Sequence, residues 1–137
     1  MKNQNISNDN INKIIENVVK MPFEMYTKRS ISIHKLFKKS GYCNYCDFIN
    51  ENNIKNYLFE NRKYINDWIN YSDDKRVDKG YFIRKIVNNK YEIGLLNIYD
   101  KNNKIKIIKE FNLSEEIEAC AYFILLELED FRNKSKK

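Results

Sequence analysis

The spacing of the apolar residues changes near Gly80, and this change constrains the fold more than any other feature of the sequence. Before it, apolar residues recur at three- and four-residue intervals, the spacing of amphipathic helices. After it, they recur at every second residue in runs rich in Ile, Tyr, Val and Phe, which is typical of β-strands. Helices followed by strands, rather than alternating with them, indicate an α+β fold.

Four helices are predicted before this change. The first carries apolar residues over 11–19 and is expected to end at Pro22, which cannot continue a helix. The second begins with Ser30 as its N-cap and ends at Gly41. Two more follow, and they are separated at Asn61 because asparagine favours helix caps over helix interiors.

Three strands are predicted after the change, and they form an antiparallel meander over residues 81–87, 90–98 and 104–111. Asn88 and Asn89 suit a tight turn between the first two strands, because asparagine tolerates positive φ. In the third strand, Ile105 and Ile107 alternate with two lysines. The strands therefore predict a sheet with one apolar face.

A final amphipathic helix is predicted from Ser114, its N-cap, with an apolar stripe that runs from Ile117 to Phe131. The stripe is expected to pack on the open face of the sheet. The chain is interpreted as one domain over 1–137. Residues 1–7 and 132–137 are expected to be frayed ends, and residues 8–20 a helical extension at the N-terminus.

Composition indicates a folded, cytoplasmic protein. Hydrophobic residues make up 42% of the chain, too many for a disordered one, and no apolar run reaches the length of a membrane span. The asparagine-rich N-terminus lacks the apolar segment of a signal peptide. Three cysteines cannot all pair within the chain, which argues against an oxidising compartment.

No set of residues predicts a catalytic centre or a cofactor site. Cys43 and Cys46 have the spacing of two zinc ligands and are weak candidates for a metal site, but a second pair is missing. Cys120 falls in the apolar stripe, which favours packing, and the single histidine, His34, has no predicted partner for acid–base catalysis. We therefore expect a protein that is not an enzyme and binds no cofactor.

The excess of basic residues is the feature that could indicate a nucleic-acid site. Four of the 25 basic residues lie in the last six positions, which weakens this interpretation of the net charge of +6. The segment 28–39 is still basic, and its lysines could contact phosphates while Tyr42 and Tyr45 stack on bases. A small nucleic-acid-binding or regulatory protein is thus the alternative function.

The segment 71–80 is interpreted as a long charged loop between a Trp68-bearing helix and the first strand. Loops on a rigid scaffold are frequent binding sites. Trp68 itself is expected to anchor the core and not to contact a partner. The predicted partner-binding residues are the first six of this segment: Tyr71, Ser72, Asp73, Asp74, Lys75 and Arg76. Local pairing of the charges in a solvated loop is an equally good interpretation.

Several runs resemble small bacterial immunity proteins that act against polymorphic toxins and in contact-dependent growth inhibition. These runs are residues 31–42, 54–61, 68–76, 80–82 and 118–124. The resemblance covers about residues 30–130 and implies a protein that binds and neutralises a cognate toxin domain, often a nuclease. Inhibitors of basic nucleases are usually acidic, whereas residues 21–131 carry 18 basic and 17 acidic side chains. We therefore expect a neutral or acidic toxin.

Overall fold

The fold is known from a computed structural model, which describes residues 8–28, 30–75, 78–87 and 89–135. Its helices and strands occur in the order α1 (Asn8–Val19), α2 (Met21–Lys28), α3 (Ile33–Ser40), α4 (Tyr42–Tyr45), α5 (Glu51–Glu60), α6 (Lys63–Asp74), β1 (Lys79–Ile86), β2 (Lys90–Asn97), β3 (Ile105–Asn112) and α7 (Glu116–Ser135). Short 3-10 turns lie at Cys46–Phe48 and Leu113–Glu115. The predicted α+β class, with a three-stranded antiparallel sheet and a C-terminal helix packed on it, is confirmed.

The first predicted helix is α1, and a second helix that was not predicted, α2, follows it at once. α1 ends at Val19, and Pro22 lies in the first turn of α2, where its missing N–H removes no helical hydrogen bond. The indole of Trp68 donates to the carbonyl of Val19, the last residue of α1, at 2.8 Å. Because the apolar residues of α1 are buried with Trp68 in one cluster, α1 is part of the core, where an extension was expected.

The other helix ends follow local sequence signals. Ser32, two residues after the predicted Ser30, caps α3 by accepting a hydrogen bond from the N–H of Lys35. Gly41 ends α3 with φ of 92°, as predicted for a glycine C-cap. Asn61 separates α5 from α6, also as predicted.

The sheet has the strand order β1-β2-β3, and both pairings are antiparallel. The strands lie within two residues of their predicted bounds. The β1–β2 connection is centred on Asn89, whose φ is 59°, and its other predicted residue, Asn88, lies outside the described residues. Ile83, Tyr91 and Ile93 are buried on the face that α7 covers.

The α7 helix closes the core as predicted, since Cys120, Ile124, Leu128 and Phe131 are all buried. Residues 132–135, expected as part of a frayed end, continue this helix, whereas residues 1–7, 136 and 137 lie outside the described residues. Trp68 is fully buried, which confirms it as a core anchor. Among the described helices, not one combines the length and the apolar character needed to cross a bilayer.

Candidate functional site

The segment 71–80, predicted as a loop, begins as helix and ends as strand. α6 continues to Asp74, and the side chains of Tyr71 and Ser72 are buried. The Oγ of Ser72 accepts from the N–H of Ile83 at 2.9 Å and donates to the carbonyl of the same residue at 3.0 Å. The loop assignment is therefore wrong for residues 71–74. Of the first two predicted contact residues, Ser72 attaches α6 to β1, and Tyr71 packs against Trp68 in the core.

Lys75 is also part of the interior. Its Nζ lies 2.9 Å from a carboxylate oxygen of Glu127, and only 11% and 2% of the two side chains are exposed. The same ammonium lies over the rings of Tyr71 and Phe123, at 5.5 and 5.6 Å from their centroids. Burial raises the pKa of Glu127, and Lys75 opposes that rise. This geometry gives Lys75 a structural role.

Asp73 and Asp74 remain at the surface. The hydroxyl of Tyr26 donates to Asp74 at 2.7 Å, which connects α2 to the end of α6. Asp73 lines a groove of about 300 Å³ whose other wall includes Phe82 and Ile105 of the sheet. Arg76, the last predicted contact residue, lies outside the described residues.

The side of the sheet away from α7, which we call the outer face, carries a cluster of apolar side chains. The strand register places Gly80, Leu96 and Ile105 in one row across the sheet, and Phe82, Gly94 and Ile107 in the next. The cluster, which we call the outer apolar patch, consists of Phe82, Leu96, Ile98, Ile105 and Ile107. Ile98, Ile105 and Ile107 are 43%, 45% and 37% exposed. Contiguous exposed apolar side chains are typical of interaction sites.

Gly94 lies at the centre of the outer apolar patch and allows it to be flat. A Cβ at Gly94 would lie 2.6 Å from the Cζ of Phe82 and 2.7 Å from the carbonyl oxygen of Lys106. The ring of Phe82 therefore lies directly on the glycine backbone, with the guanidinium of Arg84 5.0 Å from its centroid. A glycine inside a strand often marks such a close approach.

A β-bulge determines which β3 side chains face outward. Ile93 pairs with Lys109, whereas the next β2 residue, Gly94, pairs with Ile107, so Ile108 is the extra residue. The predicted alternation thus puts Ile105 and Ile107 on the outer face. Lys104 and Lys106, which alternate with them, lie on the opposite face, at the rim that α7 leaves exposed.

The basic segment 28–39 forms part of a groove between α1, α2 and α3. The groove has a volume of about 310 Å³, and Lys20 and Lys28 in its wall pair with Glu16 and Glu24 at 2.7 Å. Lys35, Lys38 and Lys39 are exposed on α3, and Arg29 lies outside the described residues.

Tyr42, predicted to stack on bases, is only 1% exposed, and its hydroxyl donates to Glu129. That part of the nucleic-acid interpretation is therefore wrong. Tyr45 is half-buried against the core. The segment keeps its exposed lysines but offers no fully exposed tyrosine beside them.

The cysteines are distributed over different environments. Cys43 is exposed, Cys46 is half-buried, and Cys120 is buried in the core, where burial raises the pKa of its thiol. Within the described ranges, no three His, Cys, Asp or Glu side chains are grouped as metal ligands would be. His34 is exposed at the surface of α3, with its ring 5.1 Å from that of Phe131.

The outer apolar patch was not predicted from the sequence. Two signals pointed to it: the doublet Ile107–Ile108, which breaks the alternation in β3, and a glycine in the middle of an otherwise apolar strand. Comparison with known proteins found no matching family model, no matching curated protein and no matching solved structure.

Proposed function

We propose that this chain is a non-enzymatic protein-binding module of the immunity type, which binds and neutralises a cognate bacterial toxin domain. The outer apolar patch is the observation that carries the proposal. It lies on the antiparallel sheet, where Ile98, Ile105 and Ile107 are exposed, and the end of α6 borders it at Asp73. A partner domain that covers the patch would remove apolar surface from water, at about 25 cal/mol for each Å² buried.

The most deeply buried titratable groups with raised pKa values have structural roles. Catalytic groups with perturbed pKa values lie in accessible clefts. Here burial in the core raises the pKa values of Tyr42, Tyr71, Cys120 and Glu127. Their partners are structural, since Tyr42 bonds to Glu129 and Glu127 bonds to Lys75.

The charge around the patch defines a suitable partner surface. Towards the β1–β2 turn, the outer face carries the ion pairs Arg84–Glu92 at 2.9 Å and Lys90–Glu110 at 3.5 Å. These pairs neutralise that half of the face and leave the other half apolar. A toxin domain with an apolar centre would fit this surface, and it need not be strongly basic.

The test combines growth rescue with affinity measurements. The chain is co-expressed with the product of the gene immediately upstream, where the proposal predicts a toxin domain, and we expect restored growth and a complex that survives gel filtration. The variant I107D, which puts a charge into the patch, should bind the toxin domain at least about tenfold more weakly, equivalent to about 1.4 kcal/mol. Absence of both rescue and complex would refute the proposal.

A matched control separates this proposal from the nucleic-acid alternative. K35E introduces a charge of the same sign on α3, among the exposed lysines of that helix. Under the proposed function K35E keeps toxin binding, and I107D loses it. A nucleic-acid-binding protein would show the reverse pattern, with retention on DNA or RNA that weakens steeply with salt and is reduced by K35E.

A further inference from the structure

The two edges of the sheet differ, and the difference points to one of them as a binding site. On β1, the N–H and carbonyl of Ile83 that face away from β2 are both satisfied by the Oγ of Ser72. On β3, the described residues include no strand and no side-chain cap beyond the edge. An uncovered edge strand presents unpaired backbone groups that can pair with another strand.

The hydrogen bonds to β2 identify the β3 groups that point outward. The N–H of Asn97 donates to the carbonyl of Lys104 at 2.8 Å, so Lys104 faces β2. Because residues in an antiparallel strand alternate in direction, Lys106 also faces β2, whereas the N–H and carbonyl groups of Ile105 and Ile107 face away from it. The outward backbone groups thus belong to the isoleucines of the outer apolar patch.

The side chains of β3 give this edge two chemically different faces. Ile105 and Ile107 lie on the outer face, and Lys104 and Lys106 lie on the face towards α7. Neither lysine is in an ion pair with a described residue, and both are exposed. Lys109, on the same side, lies over the rings of Phe111 and Tyr122. The edge is therefore apolar on one face and basic on the other.

We propose that the β3 edge binds an extended segment of a partner protein in which acidic and apolar residues alternate. The backbone of the segment pairs with Ile105 and Ile107, its apolar side chains extend the outer apolar patch, and its carboxylates face Lys104 and Lys106. Directly opposed side chains on neighbouring strands lie close enough to interact, and opposite charges there stabilise the pairing. This mode of recognition is strand addition.

A second copy of this chain fits the edge less well. Two β3 edges paired about a two-fold axis keep the same faces together, so the lysines of both copies would lie on one face. Residues 104–109 contain three lysines and no acidic residue, since the first glutamate, Glu110, follows this segment. The positive charges of the two copies would therefore not be neutralised within it. Charge complementarity therefore favours an acidic partner segment.

This inference rests on the proposed function, because it assigns the segment to the toxin partner, but its test needs no toxin. The probe is a fluorescent peptide with blocked ends in which four glutamates alternate with four valines, and its binding is followed by fluorescence polarisation. We expect saturable binding that weakens with added salt. A peptide with lysines in place of the glutamates should bind at least tenfold more weakly.

Two substitutions locate the binding at β3. I107P removes an outward N–H without removing a hydrogen bond to β2, and it should abolish peptide binding. I107T also changes the side chain in the outer apolar patch but keeps that N–H, so the difference in peptide affinity between I107P and I107T reports the hydrogen bond. Circular dichroism reports the fold of both. If I107P does not fold, methylation of alternate peptide amides tests the same hydrogen bonds from the other side. The double variant K104E/K106E should prefer the lysine peptide.

The outcomes separate the two proposals. Peptide binding that is unchanged by I107P or by peptide methylation would overturn the inference, as would no binding at low salt or self-association of the chain through β3. Peptide binding at β3 without toxin neutralisation would refute only the proposed function. Toxin neutralisation that is unaffected by I107P would refute only the strand-addition inference.

Discussion

Removal of the Lys75 ammonium tests whether that residue holds the fold together or contacts a partner. The substitution K75M keeps most of the apolar stem of the side chain and shortens it only by the ammonium group, so it mainly removes the charge. Glu127 would then be buried without its cation, with 2% of its side chain exposed. Breaking a buried ion pair by removing one partner generally costs about 3–5 kcal/mol. The K75M variant would therefore lack a large part of the stability of the wild-type protein.

The ordinary pKa of a glutamate sets an upper limit on this cost, because the carboxylate can take up a proton instead of remaining charged. From the ordinary value of 4.5, protonation costs about 3.4 kcal/mol at pH 7 and about 0.8 kcal/mol at pH 5. K75M raises the pKa of Glu127 further, so the native state holds a proton that the unfolded state releases above about pH 4.5. The stability of K75M therefore falls as the pH rises through this range.

Urea denaturation followed by circular dichroism at pH 5 and pH 7 measures the effect. We expect K75M to be destabilised by up to about 3 kcal/mol at pH 7 and by less than about 1 kcal/mol at pH 5. The double variant K75M/E127L removes both charges and should lie within about 1 kcal/mol of the wild type at either pH. A loss for K75M that is small at pH 7, or equal at the two pH values, would refute the structural role of Lys75.

Three further predictions concern stability and accessibility. Stability should fall as the pH rises above 10, because the folded state retains protons on tyrosines whose pKa values are raised chiefly by burial; urea midpoints and tyrosinate absorbance would show this for Tyr26, Tyr42, Tyr71 and Tyr91. G94A should cost about 1–3 kcal/mol in urea denaturation, and F82A should relieve only part of that cost because the contact with the Lys106 carbonyl remains. A thiol reagent should modify exposed Cys43 in the native protein but buried Cys120 only on unfolding, which a mass-spectrometric time course would distinguish.

The parts of the fold that were predicted correctly depend on local chemistry. Gly41 ends a helix because it adopts positive φ at little cost, and Asn61 separates two helices because it suits a cap. Apolar residues alternate with others along β1 and β2 because the sheet has one buried face and one uncovered face. Each of these signals lies within a few residues of the feature it determines, so the sequence alone contains it.

The end of α6 could not be predicted because its partners are distant in sequence. Ser72 and Lys75 are polar residues in a charged stretch, which favours a loop when neighbours alone are considered. Their partners, Ile83 and Glu127, lie 11 and 52 residues further along the chain. Only tertiary structure shows that a polar residue has a buried partner, and such a partner removes most of the cost of burying it.

The outer apolar patch escaped prediction for a different reason. The alternation in β3 correctly indicated a strand, but alternation does not reveal which of the two faces is covered. The bulge at Ile108 reverses the faces between the two halves of β3, so Phe111 is buried while Ile105 and Ile107 are exposed. Without the bulge, a register that buries Phe111 would turn Ile105 and Ile107 towards α7 and the lysines outward.

The bulge therefore connects the stability of the protein to its proposed binding surface. Phe111 must face α7 to complete the core, where its ring lies 5.8 Å from that of Tyr122. The extra residue satisfies that requirement and still places two isoleucines beside Gly94 on the outer face. The inward positions of the same half of β3 belong to Lys104 and Lys106, which are exposed at the rim that α7 leaves uncovered, so turning the isoleucines inward would not bury them fully. The outward placement instead groups the isoleucines with Phe82 and Leu96 around Gly94, and this is the surface that the proposed partner would cover.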